Sequence, residues 1–279
     1  MTPVTVVLKI GGELLENGTH LRTLTAAIAG AASPLVVVHG GGKEIDAALQ
    51  AAGVPKRQVD GLRITDAATL DIVVSVLAGS VNTRLVAALG AAGVRAVGLT
   101  GADGRCGLAE VAPPHRTVDG RTVDLGLVGV PSAHADVRLV ETLVGSGFVP
   151  VIACIGVDAC GCLLNVNADT LASDLAARLG AGRLVIAGAT AGVLREDGST
   201  IPSLDAAAIG RAIAGGTATA GMIAKLRACV RAIEGGVAEV AIVDGRADGA
   251  IAAAFEGTLS AGATRIAFER AAGAWAAAN

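Results

Sequence analysis

The stretch VTVVLKIGG, residues 4–12, is an apolar run that ends in two glycines, and LVVVHGGGK, residues 35–43, repeats that arrangement. Both runs are rich in β-branched residues and too short for a buried helix, which predicts strands covered on both faces. Residues 20–31 and 43–52 follow the two runs and have the spacing of helices. Units of strand, glycine turn and helix predict a parallel sheet with helices on both faces.

The same alternation continues along the chain and indicates one α/β domain over residues 1–279. Short apolar runs predict further strands and longer amphipathic runs predict helices: strands 96–99, 149–155, 184–187 and 238–243, helices 69–92 and 226–234. Residues 107–135 contain Pro, Gly and alternating side chains, which predicts hairpins at the edge of the sheet. Turn residues cluster at 158–163 and predict a soft boundary there.

The composition excludes several classes of function. The net charge is −3, and no Lys/Arg cluster or interleaving of basic and aromatic residues indicates nucleic-acid binding. The first residues lack the basic head of a signal peptide, and the longest uncharged stretches contain Pro and Gly, so we expect no membrane helix and a cytoplasmic protein. The five cysteines, including Cys160-Gly161-Cys162, lack the spacing of a zinc site and are predicted to be reduced thiols.

Both glycine runs lie where open α/β sheets bind ligands, beyond the carboxyl ends of the strands. Gly11-Gly12 follows the first strand, and Gly40-Gly41-Gly42 follows the second and begins a helix. Glycine lets backbone amides approach an anion closely, so two facing turns could hold a phosphoryl group during transfer. Either turn alone is equally well explained as an ordinary strand–helix connection. Neither is a P-loop, because Glu44 follows Lys43 and the GxxxxGK spacing is absent.

Three charged residues are candidates for the chemistry. Lys9 interrupts the apolar first strand, where it either neutralises a transferring phosphate or faces water from an edge strand. Lys225 stands near the start of a helix, against the helix dipole, and is explained by a nearby anion or by exposure to solvent. Asp169 belongs to NVNAD, residues 165–169, at the start of a helix. There it caps the helix, pairs with a lysine or helps to hold Mg²⁺.

Other polar residues have both a binding and a structural explanation. Arg63, in GLRITD at residues 61–66, suits a planar carboxylate through paired hydrogen bonds or forms a surface salt bridge. Asn82 interrupts a predicted helix, where it contacts a loop or ligand or faces solvent. His39 is predicted to orient the triple-glycine turn by hydrogen bonding, since a carboxylate acceptor is already ionised at pH 7 and needs no base.

Five motifs occur in a fixed order along the chain: KIGG at 9–12, HGGG at 39–42, GLRITD at 61–66, NVNAD at 165–169 and GMIAK at 221–225. Together they resemble the amino acid kinase family, with a similarity that runs from about residue 4 to about residue 265. The resemblance implies a three-layer αβα sandwich around a mostly parallel open sheet, and a homodimer. It also implies a lobe at residues 1–163 that binds the acceptor and dimerises, and a lobe at 164–279 that binds Mg-ATP.

The resemblance further implies an ATP-dependent kinase that phosphorylates a carboxylate, with the γ-carboxylate of N-acetyl-L-glutamate, in arginine biosynthesis, as the acceptor. By analogy, Lys9 and Lys225 stabilise the transition state and Asp169 organises the two lysines. The binding residues implied in the same way are Gly11, Gly12, Gly40 and Gly192 for ATP and its phosphates, and Gly41, Gly42, Arg63 and Asn165 for the acceptor. Mg²⁺ is expected mainly on the nucleotide phosphates, with no metal site of the protein itself.

The chain departs from the family pattern in three places. The turn at residues 187–193, AGATAGV, lacks the acid and the proline that family members often carry beside the nucleotide. Ala224 replaces a proline that is common before the second lysine. The chain also begins almost at the first strand, without the N-terminal helix of arginine-inhibited members, so we expect a plain dimer that arginine does not inhibit.

Alternatives remain open within this fold. A sibling kinase could act on another carboxylate, such as an aminoadipate derivative on a carrier protein, another acyl-glutamate or aspartate, since one methylene changes discrimination by only about 1–3 kcal/mol. A carrier-protein substrate would require a basic docking surface, which the sequence does not indicate. A non-catalytic sensing member would explain the altered turn at 187–193, but both lysines and Asp169 are retained. A nicotinamide-cofactor enzyme would need a glycine fingerprint that is absent.

Overall fold

The central sheet is built from the short apolar runs of the sequence, and a computed structural model describes the chain over residues 4–117, 119–214 and 220–267. The eight strands in chain order are β1 Val6–Ile10, β2 Leu35–His39, β3 Ala96–Thr100, β4 Val149–Ala153, β5 Arg183–Gly188, β6 Ser203–Leu204, β7 Glu239–Asp244 and β8 Thr264–Ile266. Their order across the sheet is β6-β8-β7-β5-β1-β2-β4-β3. Neighbours pair in parallel except β7 and β8, which are antiparallel. The predicted mostly parallel open sheet is confirmed.

Helices cover both faces of this sheet. The described residues form nine α-helices: α1 Gly18–Ala29, α2 Gly42–Ala51, α3 Ala67–Val74, α4 Asn82–Ala91, α5 Arg138–Gly145, α6 Ala168–Arg178, α7 Ala206–Ala214, α8 Ala220–Glu234 and α9 Ala250–Glu256. Buried side chains of α2, α3 and α5 to α8 share one hydrophobic core with Val7. Those of α1, α4 and α9 share a second core with Leu8, on the opposite face. The two helical layers and the sheet make the predicted three-layer αβα sandwich.

Strand β1 lies in the middle of the sheet, between β5 and β2. Because side chains alternate along a strand, Val7 and Lys9 point to the same face, which α6 and α8 help to cover. Lys9 is only 9% exposed there. The explanation of Lys9 as an edge-strand residue facing water is therefore wrong.

Hairpins form within residues 107–135, as predicted, but they do not extend the edge of the main sheet. Their longer strands belong to a separate four-stranded sheet with the order Ile155–Val157, Leu163–Val166, Val128–Pro131 and Ala109–Val111. The single strand predicted over 149–155 is divided at Cys154, where the chain passes from the main sheet into the small one. Short two-stranded hairpins also occur: Gln58–Val59 with Leu62–Arg63, His115–Arg116 with Thr122–Val123, and Val193–Leu194 with Thr200–Ile201.

Helices α3 and α4 are joined by the π-helical segment Ser75–Val81, so that Ala67–Ala91 forms one helical run of 25 residues. Its mean hydropathy of 1.8 makes it long and apolar enough to cross a membrane by composition, although the sequence led us to expect no such helix. Its inner side packs against the sheet through Leu77 and Leu85. Core helices of soluble proteins have these properties, and this run is part of the αβα sandwich.

Asn82 begins α4 and anchors it to the sheet. Its side-chain Nδ2 lies 3.0 Å from Nε2 of His39 and 2.8 Å from the carbonyl oxygen of Val151. Because an amide NH₂ group only donates, Nε2 of His39 accepts and the ring proton is assigned to Nδ1, which lies 3.2 Å from the carbonyl oxygen of Gly40. The predicted orienting contact of His39 with the glycine turn is present, and the solvent-facing explanation of Asn82 is wrong.

Burial lowers the pKa of His39 to about 4, so the imidazole is neutral at physiological pH. A neutral ring suits a network in which one nitrogen accepts and the other donates. The contact between α4 and the end of β2 is thus a set of hydrogen bonds between uncharged groups, and it holds the start of the triple-glycine turn.

Replacement of Asn82 by Ala is expected to reduce the free energy of unfolding by about 1–3 kcal/mol, because it leaves Nε2 of His39 buried without a donor and removes one hydrogen bond to the carbonyl oxygen of Val151. Urea unfolding followed by circular dichroism measures this change. Gln50→Ala removes an exposed side-chain amide from α2 and should change stability by less than about 0.5 kcal/mol. Equal urea midpoints for Asn82→Ala and the wild type would contradict a stabilising role of the network.

Candidate active site

Three buried charges from three separate elements meet at the carboxyl ends of the central strands. Lys9 comes from β1, and Asp169 lies in the first turn of α6, which Asn167 caps by accepting from the amide of Thr170 at 3.1 Å. Nζ of Lys9 lies 3.0 Å from Oδ1 of Asp169. Nζ of Lys225, from α8, lies 3.7 Å from the same oxygen. The structure therefore brings together the two lysines and the acid predicted from the sequence, and Asn167 rather than Asp169 caps the helix.

The triad of Lys9, Asp169 and Lys225 carries a net positive charge in a buried place. Burial alone would raise the pKa of Asp169, but the two lysines outweigh this effect and hold that pKa below its usual value. Burial alone would lower the pKa of Lys9, but Asp169 outweighs it and raises the pKa. The pKa of Lys225 is lowered, first by burial and then by the charge of Lys9. One carboxylate thus serves two ammonium groups, and an incoming anion would satisfy the remaining charge.

The two glycine turns touch each other beside this triad. A Cβ atom on Gly12 would lie 2.8 Å from Cα of Gly41, closer than real Cβ contacts, so the backbones meet only because neither residue carries a side chain. Among the described residues, no carbonyl or side chain accepts from the amides of Gly12, Gly41 or Gly42. These three amides are available to an anion, as the sequence predicted for phosphate and substrate.

Gly11 and Gly40 behave differently from their neighbours. The amide of Gly11 donates to the carbonyl oxygen of Ala187 at 2.9 Å, and the amide of Gly40 donates to that of Ile10 at 3.3 Å. Both bonds continue the pairing of the sheet beyond the last residues of the strands. Sheet pairing thus uses the amide of Gly11, which was expected to donate to phosphate, and also that of Gly40; phosphate binding at these two residues remains a prediction.

A cavity of about 370 Å³ opens beside the glycine turns and contains the predicted acceptor residues. The residues that line it include Glu13, Gly42, Lys43, Asp46, Arg63 and Asn165. Nη2 of Arg63 forms an ion pair with Asp46, yet Nη1 of the same guanidinium is buried without a hydrogen-bond partner. An unpaired buried donor costs roughly 1–3 kcal/mol, so Asp46 does not satisfy this guanidinium completely. The salt bridge considered from the sequence is present, but it lies in the wall of the cavity, where the side chain of Arg63 is 14% exposed.

Asn165 lies on the small sheet at the floor of the same cavity. Its Nδ2 donates to the hydroxyl of Thr65 at 3.1 Å, and that hydroxyl donates in turn to the carbonyl oxygen of Arg63 at 3.3 Å. The small sheet and the Gln58–Val59/Leu62–Arg63 hairpin are therefore linked through a chain of hydrogen bonds. This link places Asn165 and Arg63 on the same cavity, as the sequence predicted.

A second cavity, of about 1010 Å³, lies on the other side of the triad. Asp169, Lys225, Gly221, Thr190 and Leu194 are among the residues that line it. Gly192 shapes the turn beside this cavity rather than lining it: its φ is +52°, and a Cβ there would lie 2.4 Å from the hydroxyl oxygen of Thr264. Asp169 and Lys225 therefore line the second cavity, which is bordered by the turn that departs from the family pattern, whereas Arg63 and Asn165 line the first.

Two carboxylates in this region were not predicted from the sequence. Asp46 orients Arg63 through the ion pair described above, and Glu13 reaches the amide of Ala189 at 2.9 Å. Glu13 follows Gly12 directly, so its position next to a candidate glycine turn was a signal available in the sequence. Asp46 offered no such signal, because an acid within an amphipathic helix is ordinarily explained by exposure to solvent.

Asp169→Asn is expected to lower the free energy of unfolding by about 3–5 kcal/mol at pH 7, because two buried ammonium groups then lack a carboxylate. The pKa of Asp169 is depressed in the folded protein, so its stabilisation is present above the ordinary carboxyl pKa and is lost as the pH falls through the depressed value. Urea unfolding of the two proteins should therefore differ most near pH 7 and converge towards pH 3. The exposed control Asp248→Asn should show no difference at either pH, and a constant gap for Asp169→Asn would contradict the assignment.

Known proteins match this chain over most of its length. The model of the amino acid kinase family matches residues 4–244. A protein of Acidiphilium cryptum named acetylglutamate kinase is 41% identical over 253 residues, which are 87% of this chain and 83% of that protein. A protein of Synechocystis sp. with the same name is 44% identical over 248 residues, or 87% of this chain and 80% of that protein.

Solved structures share the architecture. An N-acetylglutamate synthase from Neisseria gonorrhoeae, complexed with coenzyme A and N-acetyl-glutamate, superimposes with a TM-score of 0.80 and 29% identity. The match covers 96% of this chain and only 60% of that longer one. A carbamate kinase from Giardia lamblia bound to AMP-PNP superimposes with a TM-score of 0.68 at 18% identity, over 96% of this chain and all of that one, and shares the fold. By its family match, its relatives and its fold, the chain belongs to the amino acid kinase family.

Proposed function

We infer that the chain is an ATP-dependent kinase that phosphorylates the γ-carboxylate of N-acetyl-L-glutamate and forms N-acetyl-L-glutamyl 5-phosphate, a step of arginine biosynthesis. The observation that carries this inference is the buried triad, in which Lys9 and Lys225 both lie within salt-bridge distance of one carboxylate, Asp169. The relatives named acetylglutamate kinase, at 41–44% identity, support the choice of acceptor. The chain is a soluble metabolic enzyme, and we propose that it acts in the cytoplasm.

The proposed reaction is a direct transfer between two oxygens. A carboxylate oxygen of the acceptor attacks the γ-phosphorus of ATP, the bond from that phosphorus to the β–γ bridging oxygen breaks, and ADP leaves with the electron pair. The acceptor is already ionised at neutral pH, so the residues need not remove a proton. Their work is to hold the two oxygens in line and to neutralise the negative charge on the transferring group.

The triad and the glycine amides suit this task. Nζ of Lys9 and Nζ of Lys225 approach Asp169 from the sheet and from α8, so both ammonium groups are held before the substrates bind. The unpaired amides of Gly12, Gly41 and Gly42 supply donors for the oxygens of the phosphoryl group and the acceptor. Donors fixed in advance in a place shielded from water stabilise a charged transition state without reorganisation, and each is commonly worth about 10²–10³-fold in rate.

Arg63 and Asn165 are proposed to hold the α-carboxylate and the acetamido group of the acceptor. Asp46 fixes the guanidinium of Arg63 through Nη2, so that the unpaired Nη1 can serve the ligand. Asn165 keeps the oxygen and one proton of its amide for binding after donating to Thr65. An amide and a guanidinium on one cavity match an acceptor with one amide and one further carboxylate.

ATP is proposed to occupy the larger cavity beside Lys225. Among the described residues, no group of three or more His, Cys, Asp or Glu lies close enough to hold a metal ion. We propose that Mg²⁺ arrives bound mainly through the nucleotide phosphates, whose charge it reduces. The division into an acceptor lobe at 1–163 and a nucleotide lobe at 164–279 remains a proposal, and the turn residues at 158–163 close a hairpin of the small sheet between them.

The homodimer is also a proposal. Strand β3 is an edge of the main sheet and pairs only with β4 among the described residues, so one row of its backbone groups is open. Beside it, α4 exposes Thr83, and Ala78 of the π-helical segment borders the same groove of about 320 Å³. The apolar helical run Ala67–Ala91 and this open edge together form a surface on which a second copy could bury area. Insensitivity to arginine stays a prediction from the sequence.

The expected product is an acyl phosphate, which hydroxylamine traps as a hydroxamate. We expect turnover with ATP and N-acetyl-L-glutamate, and at least about tenfold lower kcat/KM with the other acids. Glutamate and aspartate lack the acetamido group proposed to bind Arg63 and Asn165, and N-acetyl-aminoadipate has one more methylene before the reacting carboxylate. Arginine added to the same assay should not inhibit. Preferred turnover of another carboxylate would favour the sibling kinase, and no turnover with any would favour the sensing member.

In the same assay, Lys9→Ala and Lys225→Ala should each lower kcat by about 10²–10³-fold and change the two KM values much less, because the lysines act on charge that develops in the transition state. Arg22→Ala removes an exposed cation from α1 and should leave kcat unchanged. An unchanged kcat for either lysine variant would remove that residue from the mechanism.

Sedimentation equilibrium tests the dimer. We expect the wild type to have twice the 27.2 kDa mass of one chain. Thr83→Glu places a charge on the exposed side of α4 next to the open edge and should shift the protein towards the monomer, whereas Glu256→Ala on α9 should remain dimeric. A monomeric wild type, or a Thr83→Glu variant that dimerises as tightly, would contradict this interface.

A further inference from the structure

Glu13 connects two turns that are far apart in the sequence. It lies in the short 3-10 helix Gly12–Leu14 after β1, and its side chain folds back over Gly11, where a Cβ would lie 2.4–2.6 Å from the carboxylate atoms. Oε1 of Glu13 accepts from the amide of Ala189 at 2.9 Å. A Cβ on Gly188 would lie 3.0 Å from the same oxygen. The carboxylate is thus held between glycines of two adjacent turns.

The turn that Glu13 contacts has few side chains that could fix its conformation. Residues 188–192, GATAG, carry only small side chains, so the turn lacks an internal acid or proline to fix its shape. Its far end is tied down by the amide of Val193, which donates to the hydroxyl of Thr264 at 2.8 Å. Its near end, where it leaves β5, is tied to the first glycine turn by Glu13. This near end faces the triad and the proposed nucleotide cavity.

The position of Glu13 also explains why a carboxylate is tolerated next to a site for phosphates. The carboxylate lies within electrostatic range of Lys9 and Lys225; it adds to the raised pKa of Lys9 and opposes in small part the lowering of the pKa of Lys225 by burial. One of its oxygens is committed to the amide of Ala189. The side chain therefore points across the sheet edge, from β1 towards β5, and its charge is offset by the excess positive charge of the triad.

We propose that Glu13 is a positioning residue for the nucleotide: its bond to Ala189 fixes the turn after β5 relative to Gly11 and Gly12. That turn borders the cavity assigned to ATP, and the first glycine turn borders the transferring group. A fixed distance between the two turns sets where the β- and γ-phosphates stand relative to the acceptor oxygen, and small errors in such a distance reduce rates strongly. The assignment of the nucleotide rests on the function proposed above, whereas the contact does not.

The proposed role of Glu13 requires an oxygen that accepts a hydrogen bond. Substitution by Gln, which keeps such an oxygen, and substitution by Ala, which removes it, should therefore have different effects. Glu13→Gln keeps an accepting oxygen of the same reach and should retain binding of ATP within about threefold, because the hydrogen bond from the amide of Ala189 is kept. Glu13→Ala removes the accepting oxygen and should raise KM for ATP by about 10–100-fold and lower kcat. Because Glu13 also lines the cavity assigned to N-acetyl-L-glutamate, KM for that substrate should rise too, but by less than KM for ATP. Glu256→Ala, an exposed acid on α9, is the control and should match the wild type.

Calorimetric titration with Mg²⁺ and the ATP analogue AMP-PNP measures the same effect without turnover. Weaker binding to Glu13→Ala, restored by Glu13→Gln, is the expected result. Equal affinity of wild type and Glu13→Ala would overturn the proposal, and so would a Gln variant as weak as the Ala variant, because the charge and not the hydrogen bond would then be required. Circular dichroism verifies that each variant is folded. If Glu13→Ala does not fold, the test rests on Glu13→Gln, which must bind AMP-PNP as tightly as the wild type does. If N-acetyl-L-glutamate is not phosphorylated but this pattern of affinities is seen, the acceptor assignment fails and the role of Glu13 stands.

Discussion

The sharing of one buried carboxylate by two lysines is the constraint on which the rest of this structure depends. Nζ of Lys9 and Nζ of Lys225 both lie within 3.7 Å of Oδ1 of Asp169, in a place with little access to water. Removing charges from water costs several kcal/mol per ion, and one carboxylate cannot repay this for two cations. Such an arrangement contributes little to the free energy of unfolding by itself. It is explained by an anionic substrate group that completes the charge balance when it binds.

The fold meets this constraint by bringing three elements to one edge of the sheet. β1 is central, so Lys9 is covered on its face, and α6 and α8 pack together over the same face. Parallel strands end at a common edge, and their glycine turns therefore meet beside the charged group. On the opposite face of the sheet, the end of β2 is held by a hydrogen bond between two uncharged side chains, His39 and Asn82.

Much of this arrangement could be predicted from the sequence, for identifiable physical reasons. Apolar runs followed by glycines gave the central strands, and polar residues in unusual positions, such as Lys9 in an apolar strand, marked the triad. The pairing of strands beyond their last residues could not be predicted, and it uses the amides of Gly11 and Gly40. The small sheet was also missed, because the break at Cys154 within an apolar run has no sequence signal of its own.

Side chains whose partners lie far away in the sequence were the hardest to predict. Asp46 orients Arg63, and Glu13 ties two turns together across 176 positions of the sequence. Neither residue type is unusual where it stands, so only the fold shows its partner. The turn after β5 carries no acid of its own, and the carboxylate of Glu13 reaches it from the neighbouring turn. A long-range contact of this kind can be predicted only once the register between β1 and β5 is known.

The central claim is that the triad acts on charge that forms during phosphoryl transfer and not on the bound substrates. Its most direct test is the affinity of the complex formed by Mg-ADP, aluminium fluoride and N-acetyl-L-glutamate, which imitates the transferring group, in the wild type, Lys9→Met and Lys225→Met. The account predicts that each substitution weakens this complex by about 100-fold or more while the affinity for Mg-ADP alone changes by less than about threefold. Equal weakening of both complexes, or no weakening of either, would contradict it.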